Sequence, residues 1–300
     1  MKLTSEYFIA KKKHDSVDEH CRKLRITEFT KYDKRSNYYI SPYHSLHEKG
    51  FVILKNIGTR LTIDEISLRG QVYTILANPE KNTIVACIPG IKATPIIERI
   101  SEEIPYETRL QVGEVTLDMS PTMDSIVTEL FPQARRTLDR FHVTKNVLED
   151  IQAIRTRIKT HIKDEELKKE EQCKIDRKKY IPKKLENRET RLDFITRLRY
   201  QLFERRKDWN EHQILRWNTL CKYTEFDELR ISYELLEQFY ELYDSPLSRE
   251  QAEPLWREWL RRISKQEHIK ELQNTGRMIQ NHLGGILHYF GKRNTNAFAE

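Results

Sequence analysis

The sequence predicts an α/β fold: a mixed sheet flanked by helices and interrupted by a large all-α insertion. Three observations predict it. Strand-type patterning is confined to the stretch from Leu61 to Asp139. Within that stretch the elements read β-β-β-α-β-α-β-α, an antiparallel meander followed by βα units. From residue 143 to 290 no strand pattern returns, and helical spacing rich in Lys, Arg and Glu takes over.

LTIDEISLRG is the first strand, interleaving Leu61, Ile63, Ile66 and Leu68 with polar residues. QVYTILANPEKNTIVACIPG supplies two more, joined by a turn at Asn78-Pro79-Glu80-Lys81-Asn82. ATPIIERISEEI has helical spacing, with Ile96, Ile97 and Ile100 apolar. VGEVTLDMS is a fourth strand ending at Asp118. Ser120 then suits an N-cap and Pro121 the first helical position. Met123, Ile126, Val127 and Leu130 form the apolar stripe of that helix, and Phe131-Pro132 ends it. ARRTLD is a fifth strand, followed by the amphipathic helix RFHVTKNVLEDIQAIRTRIK. In the helical remainder, Trp209, Leu215 and Trp217 mark one apolar seam, and Trp256, Trp259, Leu260 and Ile263 another. KLENRETRLDFITRLRYQLFERRKDWN keeps helical spacing, while Pro246 and Gly284-Gly285 are boundaries. Three antiparallel strands followed by βα units fit an RNase H-like sheet. The sequence closes on KRNTNAFAE, where Thr295-Asn296 reads as an N-cap one helical turn before Glu300.

With 300 residues, 38% hydrophobic and 10% aromatic, the composition is that of a globular protein of one large or two smaller domains. No segment reaches the roughly 18 apolar residues of a membrane span, and the N-terminus lacks a secretory signal pattern. A cytoplasmic protein is expected. Cys21, Cys87, Cys173 and Cys221 are far apart and form no C-x-x-C. That argues against zinc and for reduced, mostly buried thiols. The net charge of +7 is concentrated: residues 140–223 hold 23 Lys/Arg against 14 Asp/Glu. Such a block marks an anionic partner, most commonly nucleic acid, or else a solvated helical face.

Asp64 lies in the first strand and Asp118 ends the fourth. In an RNase H-like sheet those strands are neighbours, so the two acids meet at one edge, and a later helix brings a third carboxylate. Crowded carboxylates raise one another's pKa unless cations neutralise them. Their hard oxygen donors suit Mg²⁺ or Mn²⁺, and two such ions serve phosphodiester attack. Taken singly, Asp64-Glu65 also reads as a polar strand edge and Asp118 as a helix cap.

The stretches LTIDEISLRGQVYTILANPEKNTIVACIPGIKA, VTLDMSPTMDSIVTELFPQARRTLDRFHVTKNVLEDIQAIR and KRNTNAFAE resemble DDE transposases of bacterial insertion sequences. The nearest group carries a helical insertion before its last acid. The resemblance runs from about residue 50 to the end. It implies Asp64, Asp118 and Glu300 as catalytic residues and ligands of two Mg²⁺ (or Mn²⁺) ions. DRFH is similar to an Asp-x-x-His signature, which implies that Asp139 and His142 flank the site, with His142 contacting DNA near the scissile phosphate. The implied partner is double-stranded DNA, both terminal inverted repeats and target. A homo-oligomer, or a separate DNA-binding protein, is compatible with it. Arg140, Lys145, Lys178, Lys179, Lys183, Lys184, Arg205 and Arg206 are candidate phosphate contacts, joined by Arg188 and Arg191. Trp209 and Trp217 are candidates for base stacking or, more simply, for core.

The expected organisation is a leader over 1–58, the first part of the catalytic core over 59–145, a helical insertion over 146–285, and the start of the final core helix over 286–300. Relatives continue past the final Glu, so the reading expects a C-terminally truncated chain. Two rivals fit the same residues: an inactive DNA-binding transposase remnant, and another RNase H-like nuclease without strand transfer.

Overall fold

The computed structural model describes residues 50–68 and 70–292. Its described residues separate into two compact units, one of residues 50–143 with 284–292 and one of residues 144–283.

The first unit is built on a six-stranded sheet. Its strands are β1 (Phe51–Val52), β2 (Arg60–Leu68), β3 (Gln71–Asn78), β4 (Thr83–Pro89), β5 (Glu114–Leu117) and β6 (Arg135–Leu138). Their order is β1-β4-β3-β2-β5-β6. The β1–β4, β4–β3 and β3–β2 pairs are antiparallel, whereas β2–β5 and β5–β6 are parallel. This is the mixed RNase H-like α/β sheet expected from the order of elements.

The helices α1 (Ala93–Glu103) and α2 (Tyr106–Arg109) lead from β4 to β5, and α3 (Pro121–Leu130) joins the parallel strands β5 and β6. The expected stripe of Met123, Ile126, Val127 and Leu130 is buried, as are Ile96 and Ile100 of α1. Ser120 is the N-cap of α3 with Pro121 following it, but its side chain makes no cap hydrogen bond. The β3–β4 turn forms because Asn78 Oδ1 accepts the Glu80 and Lys81 amides, and Asn82 takes a left-handed φ of 54°. Phe51 and Val52, read from sequence as leader, instead pair with Cys87 and Ala86. Phe51 thereby joins an apolar cluster with Tyr73, Ile75, Ala77, Ile84 and Cys87.

Two long helices, α4 (Arg140–Ile175) and α9 (Lys270–Lys292), run between the residues of the two units. The second unit also holds α5 (Arg191–Gln201), α6 (Glu211–Leu220), α7 (Asp227–Asp244) and α8 (Arg249–Ser264). Trp209 and Trp217 are 8% and 7% exposed and pack on Tyr233 at centroid distances of 5.1 Å, so they are core and not free stacking platforms. Leu215 does not share their seam: it is 57% exposed, on the outer side of α6. The long helical reading of 184–210 is also corrected. Thr190 caps α5 by accepting the Asp193 amide, and the helix closes at Leu202. Of the cysteines described, only Cys87 is buried, and burial pushes its thiol up to about 12. Cys221 is exposed, so the expectation of mostly buried thiols fails there. No helix among the described residues is long and apolar enough to cross a membrane.

Gly284-Gly285 does not break the helix, because α9 runs straight through it, although the two compact units divide between residues 283 and 284. A Cβ at Gly285 would lie 2.8 Å from Leu138 Cγ, whereas one at Gly284 would meet nothing within 4 Å. Glycine in a helix costs about 1 kcal/mol relative to alanine, and overpacking costs about 1–3 kcal/mol. Gly284→Ala is therefore expected to raise stability by about 1 kcal/mol. At Gly285 the steric cost offsets the helical gain, and Gly285→Ala is expected to be neutral or destabilising. Urea titration of the two variants checks the opposite signs.

Candidate active site

The site follows from strand register. In the parallel β2–β5 pair, Thr62 lies opposite Thr116, and in β5–β6, Thr116 lies opposite Thr137 and Leu117 opposite Leu138. Side chains alternate along a strand, so residues two apart share a face. Two residues beyond the threonine row come Asp64, Asp118 and Asp139. The ladder continues that far on the β6 side, since the Asp139 amide donates to the Leu117 carbonyl at 2.9 Å. Asp118 and Asp139 therefore sit level just past the C-terminal ends of β5 and β6, in register with Asp64 in the middle of the adjacent parallel strand β2. Thr62, Thr116 and Thr137 below them are buried, and the Thr137 hydroxyl donates to buried Glu114 at 2.7 Å.

Each acid is held by its own backbone. Asp64, 7% exposed, accepts the Glu65 amide through Oδ1 at 2.8 Å. Asp118, half-buried, accepts the Ser120 amide through Oδ1 at 2.8 Å. The cap-like role read for Asp118 is thus present, and it leaves Oδ2 for other partners. Asp139 is buried and accepts the Val143 amide through its carbonyl, starting α4. In the first turn of α4, His142 Nε2 stands 3.6 Å from Asp64 Oδ2, an ion-pair separation longer than a hydrogen bond.

The electrostatics match this crowding. The Asp64 carboxylate raises the His142 pKa above its ordinary 6.5, against burial, and Asp139 and Asp118 add to the rise. Glu65 is raised by burial first, then by Asp118 and Asp64, with His142 opposing. Glu65 is itself exposed, and its electrostatic coupling to these acids is a feature that sequence reasoning missed. Its only signal was adjacency to Asp64, which strand alternation argues should send it to the other face.

A raised His142 pKa stabilises the fold fully below the unfolded value near 6.5 and loses that contribution as pH rises through the folded value. Proton NMR of the metal-free chain is expected to show His142 titrating above the ordinary range. Asp64→Asn is expected to bring it down. An unchanged midpoint in that variant would refute the pairing.

The donor chemistry fits a hard divalent cation: carboxylate oxygens, with no thiolate at the strand ends. Asp64 and Asp118, on paired strands, are carboxylates of that kind. Among the described residues no group of three or more His, Cys, Asp or Glu side chains is arranged to hold a metal. Glu300, the third acid expected from sequence, lies outside the described residues, as does the Thr295-Asn296 cap.

The phosphate-contact candidates divide by environment. Lys145, Lys178, Lys179, Lys183, Lys184 and Arg188 are exposed, and Arg140 is half-buried. Arg205 is tied to Asp244 at 2.7 Å and lies over the Tyr240 ring. Arg206 lies over the Trp217 ring at 4.7 Å, and Arg191 pairs with Glu165 and Glu225.

An RNase H-like sheet with aligned carboxylates at its central strand ends defines the class of fold and site. A family model described as Transposase, that of the ISL3 group of DDE transposases, matches residues 61–300. The chain belongs to this family of insertion-sequence transposases. No significant match to the chain exists among curated proteins or among solved structures.

Proposed function

We propose that this transposase binds the terminal inverted repeats of its element, hydrolyses a phosphodiester at the element end, and joins the resulting 3′-hydroxyl to target DNA. The observation that carries the reading is the level placement of Asp64 and Asp118 on adjacent parallel strands, with His142 against Asp64. Asp64 and Asp118 would hold divalent Mg²⁺ or Mn²⁺, with Glu300 as the third ligand. Such ions, when bound, neutralise the charge of the reacting phosphate and activate the attacking oxygen. His142 presents an imidazole beside the same carboxylates, placed to donate to a phosphate oxygen. Asp139 fixes the start of α4 and hence the position of His142. Exposed Lys178, Lys179, Lys183 and Lys184 supply phosphate contacts that anchor the duplex without reading sequence.

The test is a cleavage and joining assay with the full chain in Mg²⁺, comparing duplexes that carry the element's ends with random duplexes. Cleavage at element ends followed by joined product is expected. Equal cleavage of random DNA with no joined product would mark a different nuclease. Binding of ends without cleavage would mark a DNA-binding remnant.

A further inference from the structure

The second unit carries a basic arm between α4 and α5. Helix α4 ends at Ile175, and Arg177 turns the chain with a left-handed φ of 54°. Lys178 to Lys183 then form no regular element. The base of the arm is fixed: Lys184 bridges Thr190, Leu185 is 4% exposed, and the Leu185 amide donates to the Glu189 carbonyl at 2.9 Å. Tyr180 is half-buried. Ile181 turns outward and is 75% exposed.

Two features set Ile181 apart from an ordinary exposed aliphatic residue. It is bracketed by Lys178 and Lys179 on one side and Lys183 and Lys184 on the other, all exposed and with no ion pair among the described residues. Neighbouring cations are instead neutralised: Arg197 and Arg216 pair with Glu189, and Lys222 with Glu186. Ile181 also precedes Pro182. A residue before proline is biased to extended backbone, which narrows the conformations the arm can take around the exposed Ile181. An apolar wedge framed by cations is the pattern by which proteins enter the minor groove, unstack one base step and kink the duplex by about 20–90°. The flanking positive charge favours a duplex over a protein surface as the occupant.

We propose that the Lys178–Lys184 arm inserts Ile181 between base pairs of bound duplex DNA while its four lysines grip the adjacent phosphates. This rests on the reading of the chain as a DNA-binding transposase and adds duplex bending to it. The test uses the full chain, a 30-base-pair duplex with fluorophores at its ends, and a copy with an internal 2-aminopurine. Wild-type protein is expected to shorten the end-to-end distance and brighten the 2-aminopurine. Ile181→Ala, a surface change, is expected to keep the affinity and its salt dependence but leave the duplex straight and the probe dark. Replacing the four lysines by alanine is expected to reduce the slope of log K against log salt by about 3–4, at roughly 0.9 per phosphate contact. Bending by Ile181→Ala equal to wild type would overturn the wedge, and an unchanged salt slope would overturn the grip. If Ile181→Ala instead dissolves a self-association seen by sedimentation, the arm is a protein contact and the proposal falls. A wild-type chain that binds DNA and cleaves its ends without bending it would overturn the arm alone. One that binds no DNA would overturn the underlying reading with it.

Discussion

Asp118→Asn is expected to lower end cleavage on the order of 10³-fold, the scale on which one electrostatic partner of a transition state counts, while leaving the fold intact. The local geometry makes this substitution clean. Asp118 Oδ1 accepts the Ser120 amide at 2.8 Å and so shapes the entry to α3. Asparagine keeps a carbonyl oxygen for that bond and loses only the charge. Binding of uncut DNA is expected to hold or tighten, because a negative charge beside the phosphates is gone. Asp118 also raises the Glu65 pKa, so Glu65 is expected to titrate closer to its ordinary value in the variant. Asp124→Asn serves as the control. Asp124 is exposed on α3 and pairs with Arg136 at 3.0 Å, and surface pairs of that kind contribute little. Single-turnover cleavage of an end-labelled duplex reads both variants. If Asp118→Asn cleaves like wild type, the carboxylates at the strand ends are not the reacting site.

Much of this was legible because period-2 patterning and turn chemistry are local. Leu61 and Ile63 declared β2, Asn78-Pro79 declared the hairpin, and Ser120-Pro121 placed the start of α3 within a residue. The neighbourhood of Asp64 and Asp118 followed from the order of elements alone, since a meander followed by βα units leaves few sheet orders. What stayed hidden depends on tertiary contact. A two-residue strand such as β1 has too few positions to show alternation, and only its pairing with β4 reveals it. Gly284-Gly285, where the two units do divide, gave no sign that α9 continues through it, because the sequence cannot show that Leu138 lies against Gly285. Trp209 and Leu215 shared an apolar seam on paper. In the fold the indole meets Tyr233, while Leu215 lies on the outer face of α6. The coupling of Glu65 to Asp118 was illegible for the same reason: it depends on which strand pairs with β2.

Trp256→Ala is expected to be the most destabilising single change in the second unit. The helix α8 buries Ala252, Trp256, Trp259, Leu260 and Ile263, a spacing of three and four residues that lays one stripe along its inner face. Trp256 is fully buried, edge-on to Phe239 at 5.5 Å and to Tyr243 at 5.1 Å, with Trp259 at 5.7 Å. Truncating a buried indole removes its transfer free energy and leaves a cavity that rigid aromatic neighbours cannot fill, about 3–5 kcal/mol in all. Domains carry only about 5–15 kcal/mol of stability, so the loss is a large fraction of the total. Trp259 separates packing from hydrogen bonding. Its Nε1 donates to the Leu235 carbonyl at 2.9 Å, so Trp259→Phe keeps an aromatic ring and removes that one bond, for about 0.5–1.5 kcal/mol, while the carbonyl retains its place within helix α7. Leu215→Ala, at an exposed position, is expected to stay within about 0.5 kcal/mol of wild type. Urea unfolding, with hydrogen exchange across α7 and α8, measures all three. The order Trp256→Ala, then Trp259→Phe, then Leu215→Ala follows from burial. Equal losses at Trp256 and Leu215 would mean that this aromatic cluster does not hold the unit together.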